Sequence, residues 1–153
     1  LGGSSKRHQW NEEKVLASID DIVKNHSQAE IILTTSRRTP NVFLTHLNET
    51  PLASHLHIFP VEQTPQGWIF EEMQKAEAVW VTEDSVSMIF EALTAGCKVG
   101  VIEIDRVKED RITLSIDQII QSNLVSNQTS IEMLVEPHAF KEAERVATCL
   151  LAK

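Results

Sequence analysis

The chain has 153 residues, with 14 Lys and Arg against 22 Asp and Glu and a formal net charge of −8. That length suits one domain with a substantial core rather than two, and an acidic chain with scattered cations excludes a broad nucleic-acid or anionic-membrane surface while leaving room for a small anionic ligand. Cys97 and Cys149 are too few and too far apart for a disulfide framework, and no run approaches the ~18 consecutive apolar residues of a membrane span, so a cytoplasmic protein without a membrane span is expected.

Leu1-Gly2-Gly3-Ser4-Ser5-Lys6 reads as the end of a strand followed by a loop of small residues. Gly3 and Ser4 let backbone approach a ligand closely, and Lys6 offers it a cation; a flexible terminus has the same composition. Because no initiator Met precedes it, the chain is read as part of a longer protein. Asn11 is the expected cap of a helix over Glu12–Asn25, with Val15, Leu16, Ile19, Ile22 and Val23 at helical spacing and two glutamates in the first turn.

Ala29–Thr34 is a continuous apolar strand that ends in Thr35-Ser36-Arg37-Arg38-Thr39-Pro40. Adjacent arginines at the C-terminal end of a central strand suit an anion, because the guanidinium fork donates two hydrogen bonds at once and open α/β sheets form their crevices at that edge. Pro40 starts a short helix over Asn41–Leu47. His55–Val61 is a further strand, and its alternating His55 and His57 lack a third ligand for a metal. A helix over Gln66–Ala76, with Trp68, Ile69, Met73 and Ala76 inward, follows.

Ala78 to Val101 is the stretch around which the rest is arranged: strand, capping residues Thr82 to Ser85, helix, Gly96, and a second apolar strand from Lys98 to Ile104. The helix, read from Asp84 to Ala95, is apolar nearly all round except for Asp84, Ser87, Glu91 and Thr94, which fall on one face. Its N-terminus, with Asp84, Ser85, Val86 and Ser87, offers N–H groups and a positive dipole end to a diphosphate, and Glu91 offers a carboxylate to a ribose. The alternative is that Asp84 or Ser85 caps the helix and Glu91 lies on its wet side. Beyond this unit come a charged loop over Asp105–Arg111, a helix over Ile116–Gln121 capped by Ser115, and a last helix from Pro137 to Leu151.

Alternating strands and helices with short connections predict an α/β fold with a Rossmann-like, doubly wound parallel sheet. Neither G-x-G-x-x-G nor G-x-x-x-x-G-K-[ST] is present, which disfavours dinucleotide enzymes and P-loop NTPases.

Thr35-Ser36-Arg37-Arg38-Thr39-Pro40 and Val81-Thr82-Glu83-Asp84-Ser85-Val86-Ser87-Met88, with Glu91-Ala92, Gly96 and the opening Gly2-Gly3-Ser4-Ser5-Lys6 ahead of Trp10, resemble the mitochondrial-fission "elongated mitochondria" family. Its bacterial members are candidate glycosyltransferases often labelled nucleoside-diphosphate-sugar epimerases. More distantly, the stretch from Val81 resembles the nucleotide-sugar domain of two-domain GT-B glycosyltransferases, with Glu91 at the place of the ribose-holding glutamate and Glu83 and Glu91 in an E-x7-E spacing. Ser85 stands where such enzymes often have Gly. The resemblance implies the C-terminal, donor-binding half of a GT-B fold, a nucleotide-diphosphate sugar as donor substrate with no further cofactor or metal, and an N-terminal acceptor domain outside this chain. Two other readings are a non-enzymatic interaction module of the fission family and an epimerase; the latter lacks its Gly fingerprint and a Tyr-x-x-x-Lys pair, since the chain has no Tyr.

Overall fold

The computed structural model describes residues 1–134. In chain order it has β1 (His8–Gln9), α1 (Glu12–Asn25), β2 (Ile31–Thr34), α2 (Asn41–Asn48), β3 (Leu56–Phe59), α3 (Trp68–Lys75), β4 (Ala78–Thr82), α4 (Val86–Ala95), β5 (Lys98–Ile102), β6 (Asp105–Arg106) and α5 (Arg111–Gln121), with short 3-10 turns at Pro51–His55, Val61–Gln63 and Ile131–Met133. The expected last helix from Pro137 to Leu151, and Cys149 with it, lie outside the described residues.

The architecture is mixed α/β with small parallel sheets. β2 pairs β3 in parallel, Ile31 opposite Leu56 through Thr34 opposite Phe59, and β4 pairs β5 in parallel, Ala78 opposite Lys98 through Thr82 opposite Ile102. The four segments expected as parallel strands are therefore strands, but hydrogen bonds join them as two pairs rather than one continuous sheet.

Each pair carries its own core. Around β2 and β3, Val15, Ile19 and Val23 of α1 pack with Leu33, Phe43, Leu47 and Leu56, and Trp10 meets Phe43 edge to face at 5.4 Å. Around β4 and β5, Ile89, Ala92 and Leu93 of α4 pack with Val81, Val99, Val101, Ile116 and Met73. Cys97 belongs to this second core, where burial pushes its thiol pKa up, so it serves as a small hydrophobe. Gly96 ends α4 with φ 88°, a left-handed conformation that costs Gly little.

Local hydrogen bonding moves several expected boundaries. His55 closes the Pro51–His55 turn and β3 begins at Leu56, so His55 and His57 do not share a strand. α3 starts at Trp68 because Gly67, at φ 82°, breaks the backbone before it. β5 ends at Ile102, and the expected charged loop is partly a strand: β6 pairs antiparallel with β1, Arg106 opposite His8. α5 begins at Arg111 rather than Ile116, because Asp110 caps it, accepting from the Ile112 and Thr113 N–H groups while the Thr113 hydroxyl accepts from the Asp110 N–H in a capping box. Ser115 instead hydrogen-bonds back to the Ile112 carbonyl.

Phe43 is fully buried, so Phe43→Ala is expected to cost about 3–5 kcal/mol of unfolding free energy in a denaturant titration. A second expectation concerns acid. The Arg106 fork holds both oxygens of Asp117, at 2.8 and 3.1 Å, and keeps its carboxyl below the ordinary range. A depressed carboxyl stabilises the fold above its unfolded pKa of about 3.9 and loses that contribution as pH falls through the folded value. The melting-temperature gap between wild type and Asp117→Asn is expected to be constant from neutral pH to about pH 5 and to close below about pH 4.

Candidate functional site

Three chain segments meet at the C-terminal ends of β2 and β4. From β2, the turn after Thr34 folds back on itself: Thr39 Oγ1 accepts from the Ser36 N–H at 3.0 Å and donates to the Gly2 carbonyl at 2.6 Å. From β4, Thr82 Oγ1, fully buried, accepts from the Gly2 N–H at 2.8 Å, and Asp84 Oδ2 accepts from the Gly3 N–H at 2.9 Å. The first residues of the chain lie between them, with the Leu1 nitrogen donating to the Thr34 carbonyl at 2.9 Å.

Arg38 closes the circle. Its Nη2 donates to Asp84 Oδ2 at 2.9 Å and to Ser85 Oγ at 3.2 Å, and the Ser85 hydroxyl itself lies 3.4 Å from Asp84 Oδ2. One carboxylate oxygen thus organises the opening segment, the arginine turn and the start of α4. The two glycines are required by this crowding. A Cβ on Gly2 would fall 1.9 Å from Asp84 Oδ2, and one on Gly3 would fall 2.0 Å from the Arg38 carbonyl oxygen, so the close backbone approach expected at Gly3 is made here to the protein itself.

α4 starts at Val86 rather than Asp84. Ser85 occupies the N-cap position but makes no side-chain cap hydrogen bond, because its hydroxyl is turned toward Arg38 and Asp84. The leading N–H groups of α4, at Val86, Ser87 and Met88, therefore keep their donor capacity and positive dipole end. Asp84 has no exposed side-chain surface, and its Oδ1 is buried without a hydrogen-bond partner.

The structure brings together Gly3, Arg38, Asp84 and Ser85, with Val86 and Ser87 one step along α4. Ser36, Arg37 and Ser85 line the mouth of a cleft of about 890 Å³ between the two strand pairs. Arg37 is exposed and makes no ion pair or hydrogen bond among the described residues. Ser4 accepts from the Trp10 N–H at 3.0 Å, and Lys6 is exposed on the turn that follows; neither lines this cleft. Ser87 and Glu91 share the exposed face of α4, outside the cleft lining. Glu91 follows Val86 by five residues, about 7.5 Å along the helix axis.

Glu83, one residue before Asp84, points elsewhere. Its Oε2 accepts from His8 Nε2 at 2.5 Å and from Arg106 Nε at 2.8 Å, and both Glu83 and His8 are buried. Asp117 and Glu83 raise the pKa of Arg106 in turn. This network borders a second cavity of about 750 Å³, whose lining carries Asp21, Glu83, Glu103, Asp105 and Asp117 against Lys14 and Arg106. Five carboxylates against two cations repel a phosphate, which leaves the first cleft as the candidate place for an anion.

Sequence reasoning missed Thr39 and Thr82, whose hydroxyls tie the opening segment down, and the partners of His8. The only local signal was a hydroxyl residue at the end of an apolar strand for Thr82 and in the turn beyond one for Thr39, and turns share such residues. Glu83→Ala removes the carboxylate common to His8 and Arg106, and is expected to cost about 3 kcal/mol in denaturant unfolding, the low end for a broken buried pair because Arg106 keeps Asp117.

Comparison with protein families matches the chain to the family model described as Mitochondrial fission ELM1, over residues 1–153. Comparison with curated proteins and with solved structures finds no match. The match covers every residue that builds the site, from Gly2 through Arg38 to Ser85, and on it the chain belongs to the mitochondrial fission ELM1 family.

Proposed function

We propose that this chain binds the diphosphate and ribose of a nucleotide-diphosphate sugar, as the donor half of a GT-B-type glycosyltransferase whose acceptor half lies outside it. The observation that carries the reading is the Arg38 contact with Asp84 and Ser85, which sets the double-arginine turn against the start of α4. Two kinds of donor for phosphate oxygens are then available near that contact: the Arg37 fork, which has no partner among the described residues and lines the cleft together with Ser85, and the uncapped N-terminus of a ten-residue helix. Charge on a departing diphosphate is stabilised by these fixed donors, without a proton having to move. Glu91 sits at the distance along α4 that separates a diphosphate from the hydroxyls of the attached ribose, and its exposed carboxylate accepts from both.

One observation favours the alternative of a non-enzymatic interaction module. Asp84 Oδ2 already takes the Gly3 N–H and Arg38, so an internal anion fills part of the cradle. Calorimetric titration of a nucleoside diphosphate separates the two. The donor reading expects binding that weakens about tenfold to a hundredfold in Arg37→Ala and in Glu91→Gln, with melting temperatures unchanged. No binding by any nucleoside diphosphate, or equal affinity in wild type and both variants, overturns it in favour of the interaction module.

A further inference from the structure

Residues 126–133 run as a strap from the edge of β5 back to the end of α1. The Val101 N–H donates to the Ser126 carbonyl at 2.8 Å and Trp80 Nε1 to the Gln128 carbonyl at 2.9 Å, which fixes the strap to the β4–β5 pair. Asn25 Nδ2 donates to the Thr129 carbonyl and hydroxyl, both at 3.2 Å, and His26 Nε2 accepts from the Ile131 N–H at 3.0 Å, which fixes it to α1. Asn127 and Thr129 line the acidic cavity, Ile131 lines the cleft and Trp80 lines both, so the strap belongs to a wall that the two share. His26 lies against Trp80 with ring centroids 5.3 Å apart, and it is only half-buried, within reach of protons from water.

The contacts of this ring specify its protonation state. Nδ1 lies 2.6 Å from the Ile22 carbonyl, which only accepts, so Nδ1 carries a hydrogen; Nε2 takes the Ile131 N–H, which only donates, so Nε2 carries a lone pair. The imidazole is therefore neutral while the strap is seated. We infer that His26 is a proton-operated latch: neutral, it holds the strap on α1, and protonated at Nε2 it lets residues 127–133 lift between their anchors at Ser126 and the buried Leu134. A proton on Nε2 sets one N–H against another, and the part-buried Ile131 N–H then has to turn to water for an acceptor. The other two ring contacts survive the change, since Nδ1 still donates to Ile22 and an imidazolium beside an indole is attracted to it. The loss is thus confined to the strap rather than spread through α1. The charged groups that share the cleft with the ring are Glu30 before β2, Glu72 and Lys75 of α3, Glu77 before β4 and Arg37 at the mouth. On α1 itself Lys24 pairs with Asp20 at 2.8 Å, and the strap contributes Glu132. Carboxylates outnumber cations in the cleft, so it does not repel a proton on the ring. Imidazole is the side chain whose ordinary charge change falls between about pH 5 and pH 8, so modest acidification operates the latch and widens both cavities at their shared wall.

The test is an NMR titration of the 153-residue chain from about pH 8 to about pH 5, reading the His26 ring nitrogens, the Ile131 amide and the Trp80 Nε1–H, with the amides of the buried Ile89 and Val99 as a core reference. At the alkaline end the ring hydrogen is expected on Nδ1. On acidification the Ile131 and Trp80 signals are expected to move with the His26 midpoint, and Ile131 amide protection, corrected for the intrinsic pH dependence of exchange, to fall about tenfold or more while Ile89 and Val99 stay unchanged. His26→Gln, whose amide oxygen accepts from Ile131 without titrating, is expected to abolish that pH dependence; if the variant does not fold, the wild-type titration decides alone. A ring hydrogen on Nε2 at the alkaline end overturns the inference, as does a His26 ring that takes up no second proton across the range. So does an Ile131 signal that stays still while His26 titrates or that follows His8 or His46 instead, and so does a pH dependence of the strap that survives in His26→Gln.

Discussion

The folded arrangement depends on one carboxylate oxygen, Asp84 Oδ2. It draws in the Gly3 backbone, the Arg38 guanidinium and the Ser85 hydroxyl, from three parts of the chain more than forty residues apart in the case of Arg38 and more than eighty in the case of Gly3. A charge with no exposed surface is costly unless charge-assisted hydrogen bonds answer it. The position of the double-arginine turn, the absence of a side chain at residues 2 and 3 and the unsatisfied start of α4 all follow from meeting that requirement.

A second buried carboxylate divides the labour. Glu83 is adjacent to Asp84 but serves the opposite side, where His8 and Arg106 hold the short β1–β6 ribbon against the end of β4. Glu83 and Asp84 are the central residues of a tight turn after β4, closed by the Ser85 N–H on the Thr82 carbonyl at 3.0 Å, and their side chains leave it toward different partners, so two acidic residues in sequence anchor two different structures. The E-x7-E spacing of Glu83 and Glu91 consequently does not bring those two carboxylates to one place: one is buried in an ion-pair network and the other exposed on α4.

The two cores are joined mainly at their ends. Leu1 to Gly3 bridges the strand tips through Thr34, Thr39 and Thr82, and the segment after α5 ties back to α1, with His26 Nε2 accepting from the Ile131 N–H at 3.0 Å and Asn25 donating to Thr129. Between these ties lies the cleft. Its apolar walls and its polar mouth at Ser36, Arg37 and Ser85 are surfaces of different chemistry.

Local sequence determined what local physics governs. The α1 limits followed from Asn11 and helical spacing, the end of α4 from Gly96, and the four parallel strands from apolar runs between helices. The convergence of Arg38 with Asp84 and Ser85 was legible as far as both segments follow parallel strands and so emerge at the same end of the structure. Where a segment's state depends on a distant partner, sequence was silent or misleading. β6 exists because β1 pairs with it, and α5 starts a turn and more before its expected apolar face because Asp110 is in place to cap it. The tertiary structure alone decided that Glu83 and Asp84 face apart, that Gly2 and Gly3 are crowded by protein, and that β2 and β4 meet across a cleft. Each is a contact between residues far apart in sequence, and the energy of such a contact is not encoded in the residues near either end of it.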